Sequence, residues 1–149
     1  LPSVQQKVDE ALGAGMDREK IGIGINFYGY VWNTVNLGET WLLWPSQDMS
    51  IIEGRGSIPY NEISNQYNLA EAKWDNKAKV PYVDIDNPKT FISYDNEESA
   101  REKVRFAKLQ RLGGVIIWEL GAGHFPDATT SKNPLMDSIG QEAFAGSNN

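Results

Sequence analysis

The sequence contains no cysteine and a single histidine, which removes a disulfide framework and leaves no thiolate or imidazole cluster to hold a transition metal. Freedom from cysteine suits a secreted parent and a cytosolic one equally, so the compartment stays open. Basic charge is also short: 14 lysines and arginines stand against 20 aspartates and glutamates, for a net charge of −6. That balance argues against nucleic acid as a partner held by a basic surface. No stretch approaches the roughly 18 apolar residues needed to cross a bilayer, so no membrane partner is expected. Internal repeats and low-complexity segments are absent. A small or neutral partner is what these absences leave.

The patterns that are present read as an α/β chain. Ser3 followed by Gln6 is a capping-box pair, and Val4, Val8 and Leu12 recur at helical spacing up to Gly13. Residues 20–28 alternate, with Ile21, Ile23, Ile25 and Phe27 on one face and Gly22, Gly24, Asn26 and Tyr28 on the other, as in a strand whose glycine face admits close backbone approach. Residues 32–55 lack a period and are broken by Gly38, Pro45 and Gly54, which predicts an irregular segment in which Trp41 and Trp44 either pack under the loop, the favoured reading, or stay open for stacking. A helix is expected over residues 57–69, capped near Ser57 with Pro59 in its first turn. Residues 73–75, 80–83 and 90–94 are short β-rich runs between turn residues, as in an antiparallel meander, with Pro81 at an edge or bulge.

Asp95 or Asn96 then caps a helix to about Arg111, with Glu97 and Glu98 at its start and Lys108 and Arg111 at its end, a polarity that suits the helix dipole. Gly113-Gly-Val-Ile-Ile-Trp118 is an apolar run of strand length, expected to be buried. Asn133-Pro134 starts a last helix, with Leu135, Ile139 and Ala143 on its inner face. A strand that ends in Trp118 after a crossover helix places a flat aromatic where α/β barrels hold their active-site groups. Yet 149 residues fall well short of the roughly 250 of a complete eight-stranded barrel. With Leu1-Pro2-Ser3 running straight into a helix, the chain is expected to begin inside a longer protein.

Seven segments in order carry a resemblance: Lys20-Ile-Gly-Ile-Gly-Ile-Asn-Phe-Tyr-Gly29, Tyr60-Asn-Glu-Ile63, Trp74-Asp75, Val80-Pro-Tyr82, Phe91-Ile-Ser-Tyr-Asp95, Ser99 with Lys103, and Gly113-Gly-Val-Ile-Ile-Trp-Glu-Leu120. Together they resemble the carboxyl-terminal part of the family 18 glycoside hydrolases, the chitinase-type enzymes. The resemblance implies a partial TIM (β/α)8 barrel, contributing its last two strands and helices, with a small α+β insertion. Residues 1–31 would be a barrel helix and the seventh strand, 32–95 the insertion, and 96–149 a barrel helix, the eighth strand and the closing helix.

It implies further that the partner is chitin or another N-acetylglucosamine oligosaccharide, with no cofactor and no metal. Trp118 would be the platform under the sugar, Tyr28 would face the same cavity from the end of the seventh strand, and Tyr60 and Glu62 would edge the groove. Tyr30 stands where the family often has arginine, and Asn26 where it often has proline. The family's acidic motif, Asp-x-x-Asp-x-Asp-x-Glu, occurs nowhere in the chain, so no catalytic residue is assigned. The glutamate closing that motif protonates the glycosidic oxygen while the substrate's own acetamido oxygen attacks, a substrate-assisted retaining hydrolysis. The closely spaced carboxylates Asp84/Asp86 and Glu97/Glu98 read as a turn and a solvated helix start. Two functions remain: the carboxyl-terminal part of a hydrolase acting on β-1,4-linked N-acetylglucosamine polymers, or a non-catalytic, lectin-like carbohydrate-binding module. Either would leave barrel strands without neighbours, to be covered by an amino-terminal half or by self-association.

Overall fold

In the computed structural model, residues 3–33, 50–51, 57–86 and 89–146 are described; the expectations for Trp41 and Trp44 fall outside them. Helix α1 (Val4–Gly13) opens with the expected capping box: Ser3 Oγ accepts from the Gln6 N–H, and the Gln6 side chain accepts from the Ser3 N–H at 2.8 Å. Strand β1 (Gly22–Asn26) follows and pairs in parallel with β8 (Gly114–Trp118), in a register that sets Gly24 beside Ile116 and Asn26 beside Trp118. Ile21, Ile23, Ile25 and Phe27 are buried, so the sequence alternation chose the core face.

That alternation does not continue through Tyr28 as one strand. The chain bends at Phe27, and Tyr28 begins a second strand, β2 (Tyr28–Asn33), which belongs to another sheet. A hydrophobic alternation fixes which face is buried but not where the backbone changes sheets, and here the change is carried by hydrogen bonds. The Phe27 N–H turns to Trp118 O at 2.8 Å, while the preceding Asn26 N–H turns to Asp95 Oδ2 at 3.2 Å.

The second sheet is antiparallel. Its main path is β3 (Ser50–Ile51), β2, β7 (Lys89–Tyr94), β6 (Val80–Asp86) and β5 (Lys73–Asp75), with β4 (Ile58–Pro59) also on β2. The meander of β5, β6 and β7 is as expected. Two local readings change. Pro81 lies in an inner strand, yet the ladder from β6 to β7 starts only at Tyr82, so the missing N–H faces a side where no strand bonds it. Ile58 and Pro59 pair with Gly29 and Tyr28, which delays helix α2 to Tyr60–Gln66 and leaves it without a side-chain cap. Asp84 and Asp86 lie in β6 and not in a turn.

Helix α3 (Glu97–Leu109) is capped by Asn96, whose side chain accepts from the Ser99 N–H while Ser99 Oγ accepts from the Asn96 N–H. It packs on β1 and β8 through Ala100, Val104 and Ala107. Helix α4 (Pro134–Phe144) has proline in its first turn, buries Leu135 and Ile139, and lies along α3. Lys108 Nζ donates to the carbonyls of Glu142, Ala143 and Ala145, which finishes α4 from its neighbour. A single apolar cluster joins Ile25 and Phe27 of the parallel pair to Val31, Ile63, Val83 and Ile92 of the second sheet and to Leu135 and Ile139 of α4.

The architecture shown is thus α/β, with a small parallel pair, flanking helices and an unclosed, barrel-like arrangement. Among the described residues β8 is the only strand beside β1. The expected burial of β8 is only partial: Val115 and Ile117 are half-buried against the core, while Ile116 and Trp118 are 63% and 67% exposed, alongside the exposed Gly22 and Gly24. Nor does Gly24 admit a close neighbour, since a Cβ there would meet nothing within 4 Å. A close approach is found at Gly29, where a Cβ would lie 2.6 Å from Tyr94 Cβ and 2.7 Å from Ser93 O. Gly29→Ala is therefore expected to lower unfolding stability by about 2–3 kcal/mol through overpacking against backbone, and Gly24→Ala to leave it within about 0.5 kcal/mol. Urea unfolding of the two variants checks the pair; equal midpoints would contradict it.

Candidate functional site

Phe27 is the point on which the candidate site converges. Its N–H donates to Trp118 O at 2.8 Å, its carbonyl accepts from the Tyr60 N–H at 2.9 Å, and the residue after it is Tyr28. Three of the four expected site residues therefore hang on one peptide bend, and Glu62 follows in the first turn of α2. Phe27 itself is 1% exposed, with its ring against Gly123, where an added Cβ would come within 2.6 Å of Cδ2. A bend anchored in this way holds the ends of β1 and β8 in fixed relation to the second sheet.

The four residues differ in what they present. Trp118 ends β8 with two thirds of its surface open, and the Trp118–Glu119 peptide is cis. An exposed indole at a strand end is a flat apolar face available for stacking. Tyr28 is half-buried at the start of β2, and its ring meets Tyr30 edge-to-face at 5.8 Å and 83°. Burial pushes its phenol up from the usual range, with Tyr30 next in effect. Tyr60 is 6% exposed: its ring stacks on Tyr94 at 6.1 Å, Phe125 meets it edge-to-face at 5.8 Å, and its hydroxyl reaches Glu97 at 3.4 Å. Its ring is committed to packing. Glu62 is half-buried.

Other polar groups of the sequence settle into structural roles. Asp95, 4% exposed, accepts from Ser99 Oγ at 2.7 Å, from the Asn26 N–H, and from Lys103 in a short ion pair. Glu98 pairs with Arg101 and Arg105, whose guanidinium groups hold its carboxyl below the usual range. His124 Nδ1 lies 2.9 Å from Asn133 Oδ1. Among the described residues no group of three or more histidine, cysteine or carboxylate side chains is arranged to hold a metal. A groove of about 300 Å³ runs between α1 and β1, past Val4, Lys7, Gly22 and Gly24, apart from Trp118. Sequence reasoning missed Asn61, whose amide donates to His124 O at 3.0 Å and to Gly121 O at 3.5 Å. An asparagine between two site candidates, Tyr60 and Glu62, carried no spacing signal of its own.

A model of the glycosyl hydrolases family 18 matches residues 2–123. A probable endochitinase of Caenorhabditis elegans is 30% identical over 138 residues, covering 86% of this chain and 22% of the relative. Among solved structures, the chitinase ChiW of Paenibacillus sp. str. FPU-7 superposes with a TM-score of 0.76 at 30% identity, covering 98% of this chain and 16% of that one. YKL-39, solved in the presence of chitooligosaccharides, superposes with a TM-score of 0.74 at 26% identity, covering 94% and 39%. The chain thus spans well under half the length of the proteins it matches.

The tyrosine pair behind the site makes stability sensitive to alkali. Burial, then Glu97, pushes the Tyr94 phenol up to about 12, and the same causes, with Tyr94 added, raise Tyr60 further. Unfolded, both titrate near 10. The folded chain therefore keeps two protons that the unfolded chain releases above that pH, so their contribution is constant below pH 10 and is lost as pH rises from 10 toward 12. Urea midpoints between pH 9 and 11.5 should fall more steeply for the unmodified chain than for Tyr94→Phe. Parallel curves would contradict the assignment.

Proposed function

Since the chain belongs to glycosyl hydrolase family 18, we propose that it supplies the stacking floor and groove wall of a site for N-acetylglucosamine oligosaccharides. Trp118 is the platform, Tyr28 flanks it, Glu62 contributes from the insertion, and Tyr60 backs that wall from within the packing. The observation that carries this reading is the exposed indole at the end of β8, tied through the two backbone hydrogen bonds of Phe27 to Tyr60 and to Tyr28, the residue next to Phe27. An apolar ring face held by backbone bonds is pre-organised for a pyranose face and needs little ordering on binding.

Binding is the part of the family's chemistry that these residues can perform. The chain carries no Asp-x-x-Asp-x-Asp-x-Glu motif, and general-acid catalysis contributes typically about 10²–10⁴-fold to rate. A hydrolytic parent, working by substrate-assisted retention as the last two strands of a (β/α)8 barrel would allow, has to bring that glutamate from residues outside this chain. In that architecture the open face of Gly22, Gly24 and Ile116 would be covered by further barrel strands or by a second copy, with Trp118 left open at its end.

A tetramer of N-acetylglucosamine, titrated by calorimetry, tests the reading. The chain should bind it saturably without releasing reducing sugar. Trp118→Ala should weaken that binding by about tenfold or more while costing no more than about 1 kcal/mol of stability, because the indole is 67% exposed; a buried tryptophan would cost about 3–5 kcal/mol. Unchanged binding with a collapsed melting temperature would overturn it, and hydrolysis by the purified chain would overturn the division of labour.

A further inference from the structure

The segment that follows Trp118 is held at its two ends by different kinds of bond. At the start, Trp118 O accepts from the Phe27 N–H at 2.8 Å, a backbone contact that nearly any residue at 27 would make. At the far end, the carbonyls of Gly121 and His124 point at the side-chain amide of Asn61, at 3.5 Å and 3.0 Å. Between them runs the short 3-10 turn Leu120–Gly123, with Gly123 against the Phe27 ring. The Asn61 amide is oriented, too, because its Oδ1 accepts from the Glu62 N–H at 2.8 Å, which leaves Nδ2 facing the two carbonyls.

We propose that Asn61 is a positioning residue: it sets the distance and angle between the Trp118 segment and the helix that carries Glu62, and so the width of the groove between floor and wall. The inference rests on the sugar-site reading above for its functional consequence, and on geometry alone for its mechanical one. Beside the edge-to-face contact of Tyr60 with Phe125, which fixes no hydrogen-bonding direction, the Asn61 amide ties the two elements together by directed hydrogen bonds at this point. An isosteric aspartate would present carboxylate oxygens to two carbonyl oxygens and push the segment away, whereas glutamine keeps the donor pair.

The test uses the full chain labelled with 5-fluorotryptophan, the Trp118 resonance being assigned by Trp118→Phe. In Asn61→Ala and Asn61→Asp the Trp118 signal should shift or broaden and the amides of Gly121–His124 should exchange about tenfold faster, with Asp perturbing at least as much as Ala and Asn61→Gln staying near the unmodified chain. Affinity for the N-acetylglucosamine tetramer should drop about tenfold in the Ala and Asp variants. A simple loss of stability would lower the melting point without reordering Ala, Asp and Gln in the fluorine spectrum. Ala and Asp variants that fold with an unaltered Trp118 signal overturn the proposal. Should a variant not fold, the unmodified chain decides: slow exchange of the Asn61 side-chain amide protons supports it, and exchange at the rate of a free amide overturns it. If the unmodified chain binds no sugar, the sugar-site reading fails while the fluorine and exchange results still judge Asn61.

Discussion

Asp95 holds a carboxylate where 4% of its surface meets solvent, at the meeting place of β1, β7 and α3. Withdrawing such a charge from water costs several kcal/mol, and it is offset here by three donors of different kinds: the Lys103 ammonium, the Ser99 hydroxyl and the Asn26 peptide. Each comes from a different part of the path, or a different turn of α3. The Asn26 bond matters most for the architecture, because it caps β1 on the side away from β8 just before the chain bends. Remove the carboxylate and Lys103 is left unpaired at the helix that packs on both parallel strands. The antiparallel sheet returns to α3 and the parallel pair through this group, so the sheet-to-sheet geometry depends on it.

From that junction the rest follows by short-range contacts. The bend at Phe27 is possible because its two backbone groups find partners on opposite sides, Trp118 and Tyr60. The antiparallel sheet and α2 have no private core: Ile63, Val83 and Ile92 share one cluster with Ile25 and Leu135. On the outside, Arg105 bridges Glu98 and Glu102 on its own helix and Glu142 on α4. Exposed pairs of this sort contribute little one at a time, but a shared guanidinium spanning two helices also limits how they slide.

What could be read from the sequence was whatever is decided within a few residues. The capping box at Ser3, the helix cap at Asp95 or Asn96 (the structure uses Asn96), the proline that opens α4 and the β5–β6–β7 meander each depend on local chemistry, and each appeared where expected. The core face of β1 was legible from its alternation. The change of sheet between Phe27 and Tyr28 was not, because Asp95, Trp118 and Tyr60 arrange it from 33 to 91 residues away. For the same reason Ile58-Pro59 looked like a helix start until its partner strand was known. Trp118 could be singled out by its place at a strand end, but the burial of Tyr60 and the clip made by Asn61 are properties of the packed chain, and single-residue patterns do not carry them.

The face shared by β1 and β8 is unequal in a way that bears on how this surface can vary. Gly22 and Gly24 offer no side chain there, and the Ile116 side chain leans across Gly22, its Cδ1 3.1 Å from where a Cβ would be. Nearly all of the relief on that face is therefore written by β8. A substitution at 116 reshapes it without a matching change on the neighbouring strand, since its partner there is Gly24 and nothing stands opposite to clash with or to leave unfilled, whereas Trp118 has Asn26 beside it. The glycine strand works as a blank ground that lowers the number of simultaneous changes needed to reach a new surface, and so widens the set of shapes reachable one mutation at a time.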